Sequence, residues 1–147
     1  ELLWAERVGD DTFRLHNTPL FAYGLNFLDT VRTEPDPEGG PPHIREVVET
    51  SGHQTLRISF RPSASDKAKA GAIAALEALD VDVDVEANDE CYHALDVPPQ
   101  APAHKIARQL EKWEKSGLLS FETCEARVEG SFDDGWNDSQ DAENART

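Results

Sequence analysis

The chain has 147 residues, 38% of them hydrophobic, and its 14 Lys and Arg stand against 29 Asp and Glu for a formal net charge of −15. That field repels a phosphate backbone and offers no basic footprint, which disfavours nucleic acid as a partner. No run approaches the roughly 18 apolar residues of a membrane span, and no basic stretch followed by an apolar one marks a secretory leader.

The opening residues read as short strands. LLWAERV and DTFRLHN flank Gly9-Asp10-Asp11, a hairpin signal. FAYGLNFLDTVRTE then predicts a turn at Tyr23-Gly24-Leu25-Asn26 and a strand around Asp29 to Thr33. EPDPEGGPPH is a Pro/Gly loop, and IREVVET returns as a strand. Closely spaced strands with tight turns predict a small, partly open β-barrel.

From residue 53 the rhythm changes. HQTLRISFR alternates Leu56, Ile58 and Phe60 with Arg57, Ser59 and Arg61. Ser65 or Asp66 caps a predicted helix through KAKAGAIAALEALD, with Ile73, Leu76 and Leu79 as its apolar face. VDVDVEA alternates strictly, and ECYHALDV is a further strand stopped by Pro98-Pro99. A second helix carries Ile106, Leu110 and Trp113 on one face and stops at Gly117, before the strand LLSFETCEA. The predicted fold class is α+β: a small β-barrel-like unit over 1–50, a ferredoxin-like βαββαβ domain over 51–126, and an acidic, disordered tail over 127–147. Helices would cover one sheet face. The other, with Arg57, Arg61, Asp82, Asp84 and Glu86, must be solvated or covered. In the tail, Phe132 and Trp136 either dock on the body or hang free.

The run Leu3-Trp4, Glu6, Phe13-Arg14-Leu15, Asn17, Pro19, Phe21-Ala22-Tyr23-Gly24-Leu25, Asp29 and Val31 resembles the bacterial domain-of-unknown-function family 4265. Ser51-Gly52-His53 and Tyr92 to Pro99 resemble that family's later features, so the similarity spans most of residues 2–125. The chain departs at Leu20, where the family often has an aromatic, and at Leu28, where it often has Gly. The resemblance carries over no catalytic residue. Within the motif, Pro19 ends a strand and Gly24 permits positive φ. Phe21, Tyr23, Leu25 and Phe27 are expected to fill the barrel or its seam with the second unit. Asp29 is expected to bond backbone amides at the start of the following strand.

Chemistry-bearing residues are few. His16-Asn17-Thr18 supplies a base, an amide and a hydroxyl, but neighbours on a strand point to opposite faces, and a turn explains them more simply. Cys91 and His93 share a strand face, as a nucleophile–base pair or two metal ligands would. A zinc site needs three or four ligands, and Leu95 and Val97 on the same face argue for a packed histidine. VDVDVEANDE lacks the Gly and flanking helices of a calcium loop, and an acidic edge strand accounts for it. No catalytic or metal residues and no cofactor are therefore assigned. The cysteines, Cys91 and Cys124, are too few for a disulfide framework and fit a reducing cytoplasm, with one disulfide between them as the alternative.

These features predict a non-enzymatic cytoplasmic binding protein, a regulator or immunity-type protein, whose acidic surface at Asp82, Asp84 and Glu86 engages a partner protein with a basic surface. The alternative is a small-molecule or peptide-binding accessory protein, its ligand lying between the two units near Tyr23, Phe27 and His53. An enzyme using His16, His53 or His93 ranks third. The charge itself reads either as a solubility device or as steering toward a partner.

Overall fold

The computed structural model describes residues 1–84 and 91–123. Two four-stranded antiparallel sheets and two helices make up this region, an α+β arrangement. The first sheet is a meander of β1 (Ala5–Arg7), β2 (Thr12–Leu15), β3 (Thr30–Glu34) and β4 (His43–Glu49), in that spatial order. Its two ends, β1 and β4, do not pair, so the expected partly open barrel takes the form of an open sheet with no closed barrel.

The second sheet is built from β5 (Gln54–Phe60), β6 (Asp82–Val83), β7 (Tyr92–Val97) and β8 (Leu119–Thr123). Helix α1 (Asp66–Glu77) joins β5 to β6, and α2 (Ala103–Lys115) joins β7 to β8. The spatial order is β6-β7-β5-β8, with every neighbouring pair antiparallel. Ser65 is the residue that caps α1, its Oγ accepting from the Ala68 amide at 3.1 Å. At the end of α2, Gly117 takes φ +81°. Its amide and that of Leu118 then donate to the Glu114 and Trp113 carbonyls, closing the helix in a Schellman turn.

Period-two alternation sends Leu56, Ile58 and Phe60 of β5 toward the helices, where they meet Leu76, Ile106 and Leu110 in one buried cluster with Val83, Leu95 and Leu119. His93 belongs to this side. It is buried, its ring lies edge-on to Phe60, and Nδ1 is 3.0 Å from the Asp84 carbonyl oxygen. Cys91 packs against the same cluster, 3.6 Å from Lys69 Nζ. The long alternating strand expected over VDVDVEA is a two-residue strand in the described part, and Glu86 lies outside the described residues. Cys124, and with it the Cys91–Cys124 pairing, also lies outside them, as does the tail with Phe132 and Trp136.

Candidate functional site

The face of the second sheet turned away from the helices is covered by the chain itself. Residues 16–29, between β2 and β3, lie across it and tie the two sheets together. The most informative contact is Arg57, in central strand β5 and only 1% exposed. Its guanidinium donates to the carbonyl oxygens of Ala22 and Pro19, stands 3.4 Å from Glu122 on β8, and lies 4.7 Å beneath the Tyr23 ring centroid. Tyr23 Oη donates to the Glu122 carboxylate at 3.2 Å, and Tyr92 Oη reaches the Leu20 carbonyl at 3.4 Å. Phe21 stacks on Tyr92 at 6.0 Å between centroids. Burial, with the nearby Glu122 charge, pushes the Tyr92 phenol above its ordinary range.

The turn below is fixed by side chains bonding backbone. Gly24 has the positive φ expected of it, and Leu28 also sits in the left-handed region at φ +65°. Asp29 does bond backbone amides, but those of Asn26 and Ser51, both at 2.9 Å, so it staples the turn to the β4–β5 connection. Asn26 is buried and accepts from the Thr55 amide at 2.8 Å. The Ser51 hydroxyl donates to the Phe27 carbonyl at 2.6 Å.

Next to this staple, His53 Nδ1 lies 2.9 Å from both carboxylate oxygens of Asp96. Phe27 meets the His53 ring edge-on at 5.3 Å and the His16 ring at 6.4 Å. Burial raises the Asp96 carboxyl above its ordinary value, opposed by the hydrogen bond and charge of His53 and assisted by Asp82. His16 itself faces Glu6 at 3.3 Å. The described residues place no group of three or more His, Cys, Asp or Glu side chains where it could hold a metal ion.

Tyr23, Phe27 and His53 thus sit along one seam: Tyr23 is bonded to Glu122, Phe27 meets His53 edge-on, and His53 is paired with Asp96. Asp82 is exposed on the edge strand β6, opposite Asp96 in register, and Asp84 is half-buried beyond it. Thr55 and Arg57 are buried on this face, whereas Ser59, Glu122 and the edge residue Asp82 are exposed. Phe21 and Tyr23 do not fill a core: they are 64% and 53% exposed, and their rings lie flat on polar or aromatic partners.

A groove of about 610 Å³ lies on the first sheet. Its floor follows from the register. Ala5 pairs with Leu15, Phe13 with Val31, and Thr33 with Ile44, which puts these six side chains on one face. Ala22 and Leu25 of the loop, residues 1–4, and Pro41 and Pro42 complete the walls. Trp4 and Leu2 stand at its rim, 80% and 81% exposed. Polar groups sit at the margins. One is Glu1; others are Asp36 and His43, which face each other at 3.8 Å. Backbone hydrogen bonds from Glu38 and Gly40 hold the Asp36 carboxyl below its usual range. The sequence reading did not single out this groove; the apolar Leu2-Leu3-Trp4 run before the first strand was its available signal.

Comparison with solved structures finds a protein from Neisseria gonorrhoeae described as "Novel crystal structure of a hypothetical protein from Neisseria gonorrhoeae". The similarity has a TM-score of 0.71 at 22% identity and covers 84% of this chain and 82% of that one. At that identity the likeness speaks for the fold alone. The search of curated proteins finds no match. The family whose pattern matches is described as Domain of unknown function (DUF4265), over residues 1–121. That stretch takes in both sheets, both helices and the loop that joins them, and the chain belongs to this family.

Proposed function

We propose that the protein is a non-enzymatic binding protein of the bacterial cytoplasm that holds a small, largely apolar ligand in the groove on its first sheet. The observation that carries this reading is the groove itself: about 610 Å³, floored by one face of β1 to β4 and rimmed by a few polar groups. Concave, mainly apolar sites of roughly 300–1,000 Å³ with sparse polar groups are the usual form of small-molecule sites. In this reading the first sheet is a barrel-like unit left open to admit ligand. The second, with its β-α-β-β-α-β order, is a ferredoxin-like support, and the two divide near residue 50. Tyr23, Phe27 and His53 then hold the loop that walls the groove instead of touching ligand.

An environment-sensitive apolar fluorophore titrated into the protein tests this. Binding is expected in the wild type and is expected to be lost in Ile44→Glu, which puts a charge on the groove floor. Equal binding by both proteins would remove the groove from consideration.

A second reading is favoured by a separate observation. Asp82 is exposed on the edge strand β6 of a chain with a net charge of −15, and Asp84 follows it. Here the acidic edge steers a partner protein with a basic surface, and Glu86, two residues after Asp84 in sequence, adds a further negative charge to the segment. Replacing Asp82, Asp84 and Glu86 with Asn, Asn and Gln should then slow capture of that partner and flatten its salt dependence. Unchanged association rates at two ionic strengths would leave the edge with a solubility role.

A further inference from the structure

The wall of the groove already holds a carboxylate. The side chain of Glu1 folds back so that Oε1 accepts from the Leu20 amide at 2.7 Å, and Oε2 accepts from Phe21 at 3.0 Å and Ala22 at 2.8 Å. Three consecutive N–H groups converging on one anion form a nest, a concavity whose donors favour negative charge. The carbonyl oxygens bracketing these amides, those of Pro19 and Ala22, accept from the buried Arg57 guanidinium. A full positive charge therefore lies behind the nest, and among the described residues Arg57 Nε has no hydrogen-bond partner of its own. Glu1 and Ala22 both line the groove, so this carboxylate and one of its three donor residues belong to the groove wall.

We propose that the ligand of this groove is a small monocarboxylic acid with an aliphatic body, and that Glu1 is an internal stand-in for its carboxylate, which the ligand displaces. The proposal rests on the groove reading above and adds the head group. The groove lies on a sheet face, lined by the side chains of Phe13, Val31, Thr33 and Ile44. An extended peptide laid there would find few main-chain partners, whereas an aliphatic chain needs none. Displacement means exchanging one carboxylate for another on the same three amides. The net charge of −15 opposes an incoming anion, so carboxylate affinity should rise as salt screens that field.

The test uses three probes of equal chain length, decanoate, decan-1-ol and decylammonium, followed by backbone-amide and methyl NMR on the wild type and on Glu1→Ala. In the variant the nest is vacant, and decanoate should exceed decan-1-ol in affinity by about tenfold or more, as charge-assisted hydrogen bonds imply. The wild-type ratio should be smaller because Glu1 competes. The amides of Leu20, Phe21 and Ala22 should shift with decanoate but not with the alcohol. Glu1→Gln keeps the side-chain volume and should fall between the two. Equal binding of decanoate and decan-1-ol in both proteins, with the Val31 and Ile44 methyls shifting, would overturn the carboxylate assignment and leave the groove reading standing. Preference for decylammonium would overturn it too, since a cation would pair with Glu1 in place. If none of the probes moves Val31 or Ile44 in either protein, the groove reading falls, and the inference with it.

Discussion

Arg57→Met is the sharpest test of how the two sheets are held together. Methionine keeps most of the length and apolar stem but removes the charge and every donor. Two loop carbonyls, of Pro19 and Ala22, lose their partner, and the Tyr23 ring loses the cation beneath it. Hydrogen bonds to a charged group contribute about 1.5–3 kcal/mol each, and a cation–π contact about 0.5–2 kcal/mol. Glu122 adds little to the sum because its side chain is 46% exposed and solvent screens the pair. Against these gains stands the cost of burying the guanidinium, which methionine does not incur and which the unpartnered Nε makes larger. The net expectation is a loss of about 3 kcal/mol, or roughly 6–12 °C in melting midpoint for a chain of this size. Urea unfolding followed by circular dichroism reads the loss. Hydrogen exchange should show the amides of residues 20–25 opening before those of β5. A variant within about 1 kcal/mol of wild type would refute the reasoning, for the loop would then be held by apolar contact alone, and buried charges are often replaceable on those terms.

Two further substitutions probe the same region. At Leu28, φ +65° penalises any residue with a Cβ by about 1–2 kcal/mol, so Leu28→Gly should be more stable than Leu28→Ala by about 1 kcal/mol, the reverse of the usual order. Thermal melts in which Ala equals or exceeds Gly would show that this position is not strained. At Asp96, burial raises the carboxyl above 3.8, so the fold binds that proton more tightly than the unfolded chain does. Its stabilising effect is present below the unfolded value and is lost as pH climbs through the raised one. Asp96→Asn does not titrate and should gain on the wild type as pH rises from about 4 toward the raised value, then hold a constant difference. A difference that stays flat over that range would refute the assignment, since a carboxyl at or below its ordinary value is already largely ionised in both states there.

Much of the fold was legible because it is written locally. The period-two runs around Leu56 and Leu95, the Ser65 cap, the Gly117 stop and the Pro-rich loop each specify an element within a few residues. What covers the second sheet was not legible, because Arg57 meets Ala22 and Tyr23 across more than thirty residues of chain. Alternation told that Arg57 faces away from the helices, and left open whether water or protein lay there. The same separation hides the His53–Asp96 pair, 43 residues apart in sequence. It also hides the grip of Glu1 on residues 20–22. The Gly that the family often carries at the position of Leu28 was a conformational signal: the backbone takes a left-handed angle there, and this chain keeps it with a leucine.

The motif from Phe13 to Val31 therefore serves two sides of the molecule at once. Its strand residues floor the groove, Ala22 and Leu25 of its loop line the wall, and the Pro19 and Ala22 carbonyls of that loop are anchored to Arg57 on the second sheet. A ligand seated on the Leu20 and Phe21 amides would pull on peptide units whose carbonyl ends, Pro19 and Leu20, are bonded to Arg57 on β5 and Tyr92 on β7. Groove occupancy and docking of the loop on the second sheet are then linked, and by reciprocity each must strengthen the other by the same factor. Arg57→Met should accordingly weaken decanoate binding although Arg57 does not line the groove. A loss of stability without any change in that affinity would mean that the loop keeps its nest geometry unaided. The two sheets would then share an anchor but not a free energy.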